Sequence, residues 1–353
     1  MISRWFFIGW ILVISTIVSA QNAPVTTVAS MFNAISGNVT IPVTVNGFSN
    51  IAVISLDLKY DPSVLTFVQG IKNSAFSGSF LIGDNILPNG MRHLIISWFG
   101  SAISLPDGTS ILDLKFNYTS GSTELVWTNN GGSCEYADNT YNALNDLPTA
   151  CYYKNGIVTS NKCLNLSLFL EGLYDPIPHK MNSALGSSSG LCTDGIADNI
   201  LIELHNASDY SLLQLAVGNI DLSVQGLARV LILPAFNSTY YITIRHRNSI
   251  ATTSALPVSF AGSVVSYNFT NLASKAFGNN MIQMSDGAWA LYAGDVNQDG
   301  IIDSGDMAPV ENEAAMATSG YISEDVNGDG LVDSSDMATI DNNAAMAIGV
   351  VLP

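Results

Sequence analysis

Asp295-Val-Asn-Gln-Asp-Gly-Ile-Ile-Asp-Ser-Gly-Asp306 and Asp325-Val-Asn-Gly-Asp-Gly-Leu-Val-Asp-Ser-Ser-Asp336 are one pattern written twice, thirty residues apart. Oxygen-bearing side chains stand at positions 1, 3, 5, 9 and 12 of each copy, with Gly at 6 and an apolar residue at 7. This is the spacing of a twelve-residue loop that wraps calcium, a hard cation that takes six to eight oxygen ligands. Asp295, Asn297 and Asp299, and likewise Asp325, Asn327 and Asp329, are spaced to ligate through their side chains. Gly300 and Gly330 stand where the chain must turn sharply, because glycine reaches positive φ without a Cβ clash. Position 7 ligates through its carbonyl, so the side chains of Ile301 and Leu331 are free to be apolar. Asp303 and Asp333 would ligate directly or through a water, and Asp306 and Asp336 would close each cage. Two Ca2+ ions are expected, one per loop.

An EF-hand loop ends in Glu, whereas both copies here end in the shorter Asp. A stretch of helical composition follows each loop, Met307–Thr318 and Met337–Ile348, and both contain Ala-Ala-Met-Ala. No matching helical stretch precedes either loop. A loop–helix, linker, loop–helix order with Asp at position 12 resembles a type I dockerin, over about residues 295–349. The resemblance implies that Ser304, Gly305, Ser334 and Ser335, at loop positions 10 and 11, form with the following helices a face that docks onto a cohesin. The copies are so nearly symmetric that either could serve.

The chain of 353 residues has room for two or three domains. Its formal net charge is −17, and residues 295–353 hold twelve of the 29 acidic residues with no Lys or Arg. There is no basic stripe, and phosphate backbones would be repelled, so nucleic-acid binding is excluded as a function class. Only 12 % of residues are charged. With Thr, Ser, Asn, Val and Ile abundant, this is the composition of secreted β-sandwich domains rather than of a cytosolic α/β enzyme. Residues 1–20 form a separate unit in which Arg4 precedes the apolar run Trp5–Val18 and Val18-Ser19-Ala20 offers a small-residue cleavage pattern. They read as a secretory signal peptide cut after Ala20. The apolar run is shorter than the roughly 20 residues a membrane-spanning helix needs. Export makes Cys134, Cys151, Cys163 and Cys192 disulfide candidates. Four cysteines allow three pairings, and the local pairing, Cys134–Cys151 with Cys163–Cys192, keeps one bridge within each proposed domain.

Residues 21–160 are a succession of strands. Val39, Ile41, Val43 and Val45 alternate with small or polar residues, and Leu56, Leu58 and Tyr60 share one face of a second alternating run. Asp61-Pro62 stops that run, since Pro cannot donate to a ladder, and Leu65 and Phe67 resume it. Further strands are expected over His93–Trp98, Ile111–Tyr118 and Glu124–Thr128, separated by Asn89-Gly90, Asp107-Gly108 and Gly121. Short strands with glycine turns predict a β-sandwich or jelly roll. Ile41-Pro-Val-Thr-Val45, Leu56-Asp-Leu-Lys-Tyr-Asp-Pro62, Leu65-Thr-Phe67, Asp107-Gly108 and Asn155-Gly-Ile-Val158 come in an order that resembles a cohesin domain. That resemblance implies a flat strand face that receives a dockerin. The segment Ser133–Ala150 reads as an insertion, a long loop pinned by Cys134 and Cys151.

Residues 161–294 are expected to form a second sandwich from Leu164–Leu170, Ile200–His205, Ala228–Leu233, Tyr240–His246 and Val264–Phe269. It is similar to the accessory sandwiches that precede a C-terminal module in secreted bacteroidete proteins. Neither region shows enzyme chemistry. No Gly-x-Ser-x-Gly elbow, His-Glu-x-x-His or phosphate loop occurs. His93, His205 and His246 lie within strand patterns and read as strand residues rather than bases. Trp98, Trp127, Trp289, Tyr152 and Tyr153 offer either a sugar-stacking platform or core packing.

The chain therefore reads as mainly β: a signal peptide (1–20), two β-sandwich (jelly-roll-like) domains (21–160 and 161–294) and a small α module (295–353) with two EF-hand-like loop–helix calcium repeats. The expected function is non-enzymatic: secreted, calcium-dependent assembly or adhesion through a cohesin-type or dockerin-type partner, with direct polysaccharide binding by a sandwich as the alternative. Because one chain carries both half-partners, head-to-tail self-association is open to it.

Overall fold

The computed structural model describes residues 21–128, 132–184 and 195–353; the proposed signal peptide and Cys192 lie outside the described residues. Eleven strands among them make the first unit: β1 (Val25–Val28), β2 (Gly37–Asn46), β3 (Ile51–Tyr60), β4 (Leu65–Lys72), β5 (Phe80–Ile86), β6 (Arg92–Ile103), β7 (Thr109–Tyr118), β8 (Ser122–Trp127), β9 (Glu135–Asp138), β10 (Tyr153–Lys154) and β11 (Gly156–Thr159). They form a five-stranded sheet, β10-β1-β2-β7-β4, and a six-stranded sheet, β11-β8-β3-β6-β5, with β9 paired to β3. The period-two residues do what their spacing predicts. Ile41, Val43 and Val45 of β2 and Leu114 and Phe116 of β7 meet Leu56, Leu58 and Tyr60 of β3 and Leu94, Ile96 and Trp98 of β6 in one core. The insertion Ser133–Ala150 is not a free loop, because its β9 adds to the β3 edge, with Ile54 opposite Tyr136.

The second unit contains β12 (Lys162–Ser167), the short pair β13 (Tyr174–Asp175) and β14 (Lys180–Met181), then β15 (Ile196–Asn206), β16 (Leu213–Ser223), β17 (Leu227–Ile232), β18 (Thr239–His246), β19 (Ser249–Thr253), β20 (Val258–Ser259), β21 (Val264–Asn268), β22 (Ile282–Gln283) and β23 (Trp289–Ala290). Eight of these make one hydrogen-bonded sheet, β19-β18-β15-β16-β17-β12-β21 with β20 against β18. The sheet curls on itself, since Leu164 and Leu166 of β12 and Val265 of β21 share a core with Ile202 and Leu204 of β15 and Ile242 and Ile244 of β18. Two of its strands carried no clear pattern in the sequence. Strand β16 is mostly exposed, with Asn219 at positive φ. Strand β19 is buried at every residue, so it shows no in-and-out alternation.

Two helices follow, α1 (Ser304–Ala315) and α2 (Ser334–Ala345). They begin three residues earlier than expected from composition because Asp303 and Asp333 act as N-caps, each in a capping box closed by Asp306 or Asp336. They also end earlier, where Ala317 and Ala347 turn to positive φ. Val310 and Ile340 pack with Val296, Ile302, Val326, Val332, Ala293 and Ile250 of β19 in a third core. The outer face of β19 is thus covered by the helical module.

The local disulfide pairing is corrected. Cys134 and Cys163 are buried free thiols, while Cys151 is disulfide-bonded and therefore to neither of them. The Cys134 Sγ sits against the main chain of β3, accepting from the Asp57 N–H at 3.4 Å. Cys163 lies within β12, its Sγ 3.3 Å from Asn165 Oδ1.

Candidate metal loops and recognition faces

Each acidic repeat folds into a loop whose side-chain oxygens are first occupied by its own amides. In the first loop Asn297 Oδ1 accepts from Asp299 N at 2.8 Å, and Asp299 Oδ1 accepts from Ile301 N at 3.0 Å. The second repeats this with Asn327 and Asp329, both at 2.9 Å. Gly300 and Gly330 take φ of 87° and 88°, as the turn at position 6 requires. Asp295 and Asp325 at position 1 accept from Gly300 N and Gly330 N at 3.4 and 3.0 Å. The position-12 carboxylates tie loop to helix: Asp306 accepts from the amides of Val296, Asn297 and Asp303 at 2.8 to 3.0 Å, and Asp336 accepts from those of Val326, Asn327 and Asp333 at 2.7 to 3.0 Å. Asp303 and Asp333 at position 9 cap the helices through Gly305 N and Ser335 N at 2.6 and 2.7 Å. The side chains of Ile301 and Leu331 are exposed.

The electrostatics favour a cation. Asp295, Asp306, Asp325 and Asp336 are all buried. Burial, with the charges of Asp306 and Asp299 beside it, pushes the Asp295 carboxyl up to about 6. Burial also pushes Asp325 up, opposed in part by the Arg247 charge. Carboxylates held in a desolvated place beside like charges resist ionisation, and a divalent ion would reverse that. The sharpest sign is Asp325 Oδ1, a buried acceptor with no hydrogen-bond partner. Such an atom is costly unless something satisfies it. Among the described residues, no three His, Cys, Asp or Glu side chains are already gathered as a metal cage. The reason is visible in the loops: Asn residues and main-chain carbonyls alternate with the acids, and the position-12 carboxylates are turned toward amides.

Ser304, Gly305, Ser334 and Ser335 all lie exposed at the first turns of the two helices. The helices contact each other, and antiparallel bridges join Ile301 to Gly349 and Ser319 to Leu331.

Sequence reasoning did not find the residues that hold this module against the curled sheet. Arg247 donates through Nη1 to the carbonyls of Ile322 and Asp325, and Asn248 Nδ2 donates to those of Ser323 and Asp325 at 3.0 and 3.1 Å. Glu171 Oε2 accepts from Ala293 N at 2.9 Å and from Asn343 Nδ2 at 2.7 Å. Asp198, at the other end of this contact, accepts from Tyr321 Oη, His246 Nε2 and Arg247 Nε at 2.5, 2.9 and 3.1 Å. An unusual density of polar residues in Arg245-His-Arg-Asn248 was the one signal available.

On the first sandwich, the outward residues of β5 and β6 include exposed Leu81, Ile95 and Phe99, and Phe99 stacks on Tyr141 of the insertion with ring centroids 5.3 Å apart. Beside them Asp57 and His93 pair at 3.1 Å. No sugar platform forms from the aromatic residues considered for one. Trp98, Trp127 and Tyr153 are core residues, and the indole N–H groups of Trp98 and Trp127 donate to the carbonyls of Ser77 and Lys154. Tyr152 and Trp289 are half-buried against the two cores.

Residues 25–149 match the model of the cohesin domain, and residues 293–343 match that of the dockerin type I domain. No curated protein matches the chain. Similar solved structures include the sixth cohesin of scaffoldin B from Acetivibrio cellulolyticus in complex with a Cel5 dockerin mutant, at 18 % identity over 39 % of this chain and 99 % of that one, with a TM-score of 0.31. CaCohA2 from Clostridium acetobutylicum is 19 % identical over 39 % of this chain and 91 % of its own, with a TM-score of 0.32. A non-cellulosomal cohesin from the archaeon Archaeoglobus fulgidus is 19 % identical over 38 % of this chain and 89 % of its own, with a TM-score of 0.29.

Proposed function

We propose, for a chain that carries a cohesin domain over residues 25–149 and a type I dockerin domain over residues 293–343, that it is a secreted connector of extracellular assemblies. Cohesin and dockerin are assembly modules rather than catalysts, and this protein acts by recognition, without an enzymatic step. Its setting is extracellular polysaccharide degradation or attachment at a surface. The observation that carries this reading is the presence of both half-partners on one chain, with the apolar strand face of Leu81, Ile95 and Phe99 and the helix starts at Ser304 and Ser334 all exposed. No helix among the described residues is long and apolar enough to cross a membrane.

Calcium would supply the charge that lets the buried loop carboxylates ionise together. Asp295, Asn297, Asp299, Asp303 and Asp306, with the Ile301 carbonyl, are the residues to hold one ion. Asp325, Asn327, Asp329, Asp333 and Asp336, with the Leu331 carbonyl, are those to hold the second. The chain itself positions these groups: the capping boxes fix where each helix leaves its loop, and so where Ser304–Gly305 and Ser334–Ser335 present themselves to a partner. Ion binding and ordering of the module are linked in free energy. On the full chain, calorimetry should find two calcium sites, and Asp295→Ala with Asp325→Ala should abolish both calcium uptake and capture of a cohesin. Capture that survives in the double variant would sink the calcium-dependent reading.

The strand face predicts its own outcome. Phe99→Ala removes an exposed ring and should weaken capture of a dockerin by at least tenfold while leaving the melting temperature unchanged. An unaltered affinity would place the partner elsewhere on the sandwich.

A further inference from the structure

We infer that the turn Arg247–Asn248 between β18 and β19 clamps the second loop alone, making the two nearly identical calcium loops unequal. This inference rests on the calcium reading above and goes beyond it, to residues that bind no ion themselves.

The asymmetry begins at position 1. The Asp295 carbonyl accepts from a residue of its own loop, Gln298 Nε2, at 2.5 Å. The Asp325 carbonyl instead accepts from Arg247 Nη1 at 2.8 Å and Asn248 Nδ2 at 3.1 Å. The main chain just before the loop is held as well, through the carbonyls of the adjacent residues Ile322 and Ser323. Asn248 is buried, and Arg247 is fixed on its other side by buried Asp198 at 3.1 Å and by the Tyr321 ring, 4.9 Å from its guanidinium carbon. Just before the first loop, Gly294 N donates to the Asn248 carbonyl at 2.7 Å, and no side-chain hydrogen bond from Arg247 or Asn248 to the first loop is seen among the described residues.

Position 4 carries the same asymmetry into the sequence. Gln298 and Gly328 both take positive φ, 59° and 70°. Gln298 is exposed. Gly328 is pressed against the second unit: a Cβ there would lie 3.0 Å from Ala184 Cβ and would run into Leu173 Cδ2. Gly172 approaches so closely that a Cβ on it would collide with the Val326 carbonyl. The difference between the copies at position 4, where both chains take positive φ, is therefore accounted for by the surface that the second loop rests on. A loop whose first ligand is already held loses less freedom when an ion binds. The clamp makes the second site depend on the curled sheet, while the first depends on its own turn.

The test uses the full chain. Asn248→Ala removes the side-chain bonds to the carbonyls of Asp325, at the start of the second loop, and of Ser323 just before it, changes no charge, and keeps the carbonyl that holds Gly294. Calcium titration calorimetry should show one site unchanged and one weakened about tenfold, the scale of one or two net hydrogen bonds. Adding Asp325→Ala should abolish the weakened site, and adding Asp295→Ala should abolish the unchanged one. Gly328→Gln, which writes the first loop's residue into the second, should weaken the same site from the opposite side of the contact. It also serves if Asn248→Ala fails to fold. In calcium-free buffer, amide exchange over residues 322–330 should rise at least tenfold in Asn248→Ala, with residues 295–301 unmoved. Equal weakening of both sites, no weakening of either, or exchange that rises in both loops alike would overturn the clamp. Absence of any calcium uptake by the unaltered chain would instead overturn the calcium reading, and the exchange measurement would still decide whether the clamp exists.

Discussion

Asp198 is fully buried and accepts from His246, Arg247 and Tyr321 at once. Burial alone would raise its pKa, but the hydrogen bond and charge of His246, the Tyr321 hydroxyl and the Arg247 charge outweigh it and hold the carboxyl at about 2, below the ordinary 3.8. Burial pushes His246 the other way for a base, below 6.5, and its Nδ1 lies 2.9 Å from Ser249 Oγ. For both groups the folded pKa is depressed, so their contribution to stability is full above the unfolded pKa and is lost as pH falls through the folded one. The His246 share is lost first, below about pH 6.5, and the Asp198 share between about pH 4 and 2. In calcium-free buffer the decline in melting temperature between pH 7 and pH 5 should be shallower in His246→Gln than in the unaltered chain; equal slopes would show that His246 does not titrate on unfolding. Asp198→Asn leaves Arg247 facing a neutral amide in a buried site, which should cost about 3 kcal/mol in urea unfolding. A loss under about 1 kcal/mol would show the cluster to be replaceable.

At the scale of elements, β19 explains why the module sits where it does. Every one of its residues is buried, with Ile250 in the core of the helical module and Thr253 hydrogen-bonded at 2.9 Å to Thr243 on β18. A strand covered on both faces cannot be recognised by alternation, and it shows here that the helices are a third layer rather than a tethered appendage. The short 3-10 turn Glu171–Leu173 presses on the module from the other side. Gly172→Ala should therefore displace the second loop at a cost of about 1–3 kcal/mol, visible as faster amide exchange over residues 325–336. Unchanged exchange there would mean that the loop is held by Arg247 and Asn248 alone. The helices owe their first turns to the loops, since Asp303 and Asp333 are at once expected ligands and N-caps. That double duty is why helical composition alone placed both starts three residues late.

The whole molecule divides by its cores. The first sandwich has a core of its own, and it touches the second unit where the Arg229 guanidinium carbon lies 5.9 Å from the Phe32 ring. The curled sheet and the helical module are joined by Arg247, Asn248, Glu171, Asn343, Tyr321 and the face of β19. Scanning calorimetry in excess calcium should then resolve two transitions, one for residues 21–160 and one shared by residues 161–353. Three separate transitions would show that the contact with the module contributes little. A chain with a half-partner at each end forms a heterologous contact if it pairs with itself, and such contacts make open assemblies when they do not close. Scattering mass that rises with concentration in calcium, and falls back in Phe99→Ala, would identify that pairing; a constant monomer mass would exclude it.

The acidic repeats and the period-two strands were legible in the sequence because both are local. A twelve-residue loop carries all its expected ligands within its own span, and alternation reports burial one neighbour away. The order Tyr60-Asp-Pro62 followed by Leu65 and Phe67 carried the first sandwich for the same reason, since a strand end and its restart are set by adjacent residues. The cysteines, β19 and the clamp were not legible. Whether Cys134 reaches Cys151 depends on where β9 docks, and docking on β3 leaves Cys134 buried against Asp57. Arg247 and the Asp325 carbonyl stand 78 residues apart, and Asn343 and Glu171 stand 172 apart. No periodicity spans such distances. What the sequence by itself determined was the two loops and the repeating strands; which loop is held, which strand face is covered and which thiols stay free were decided only when the chain packed distant segments together.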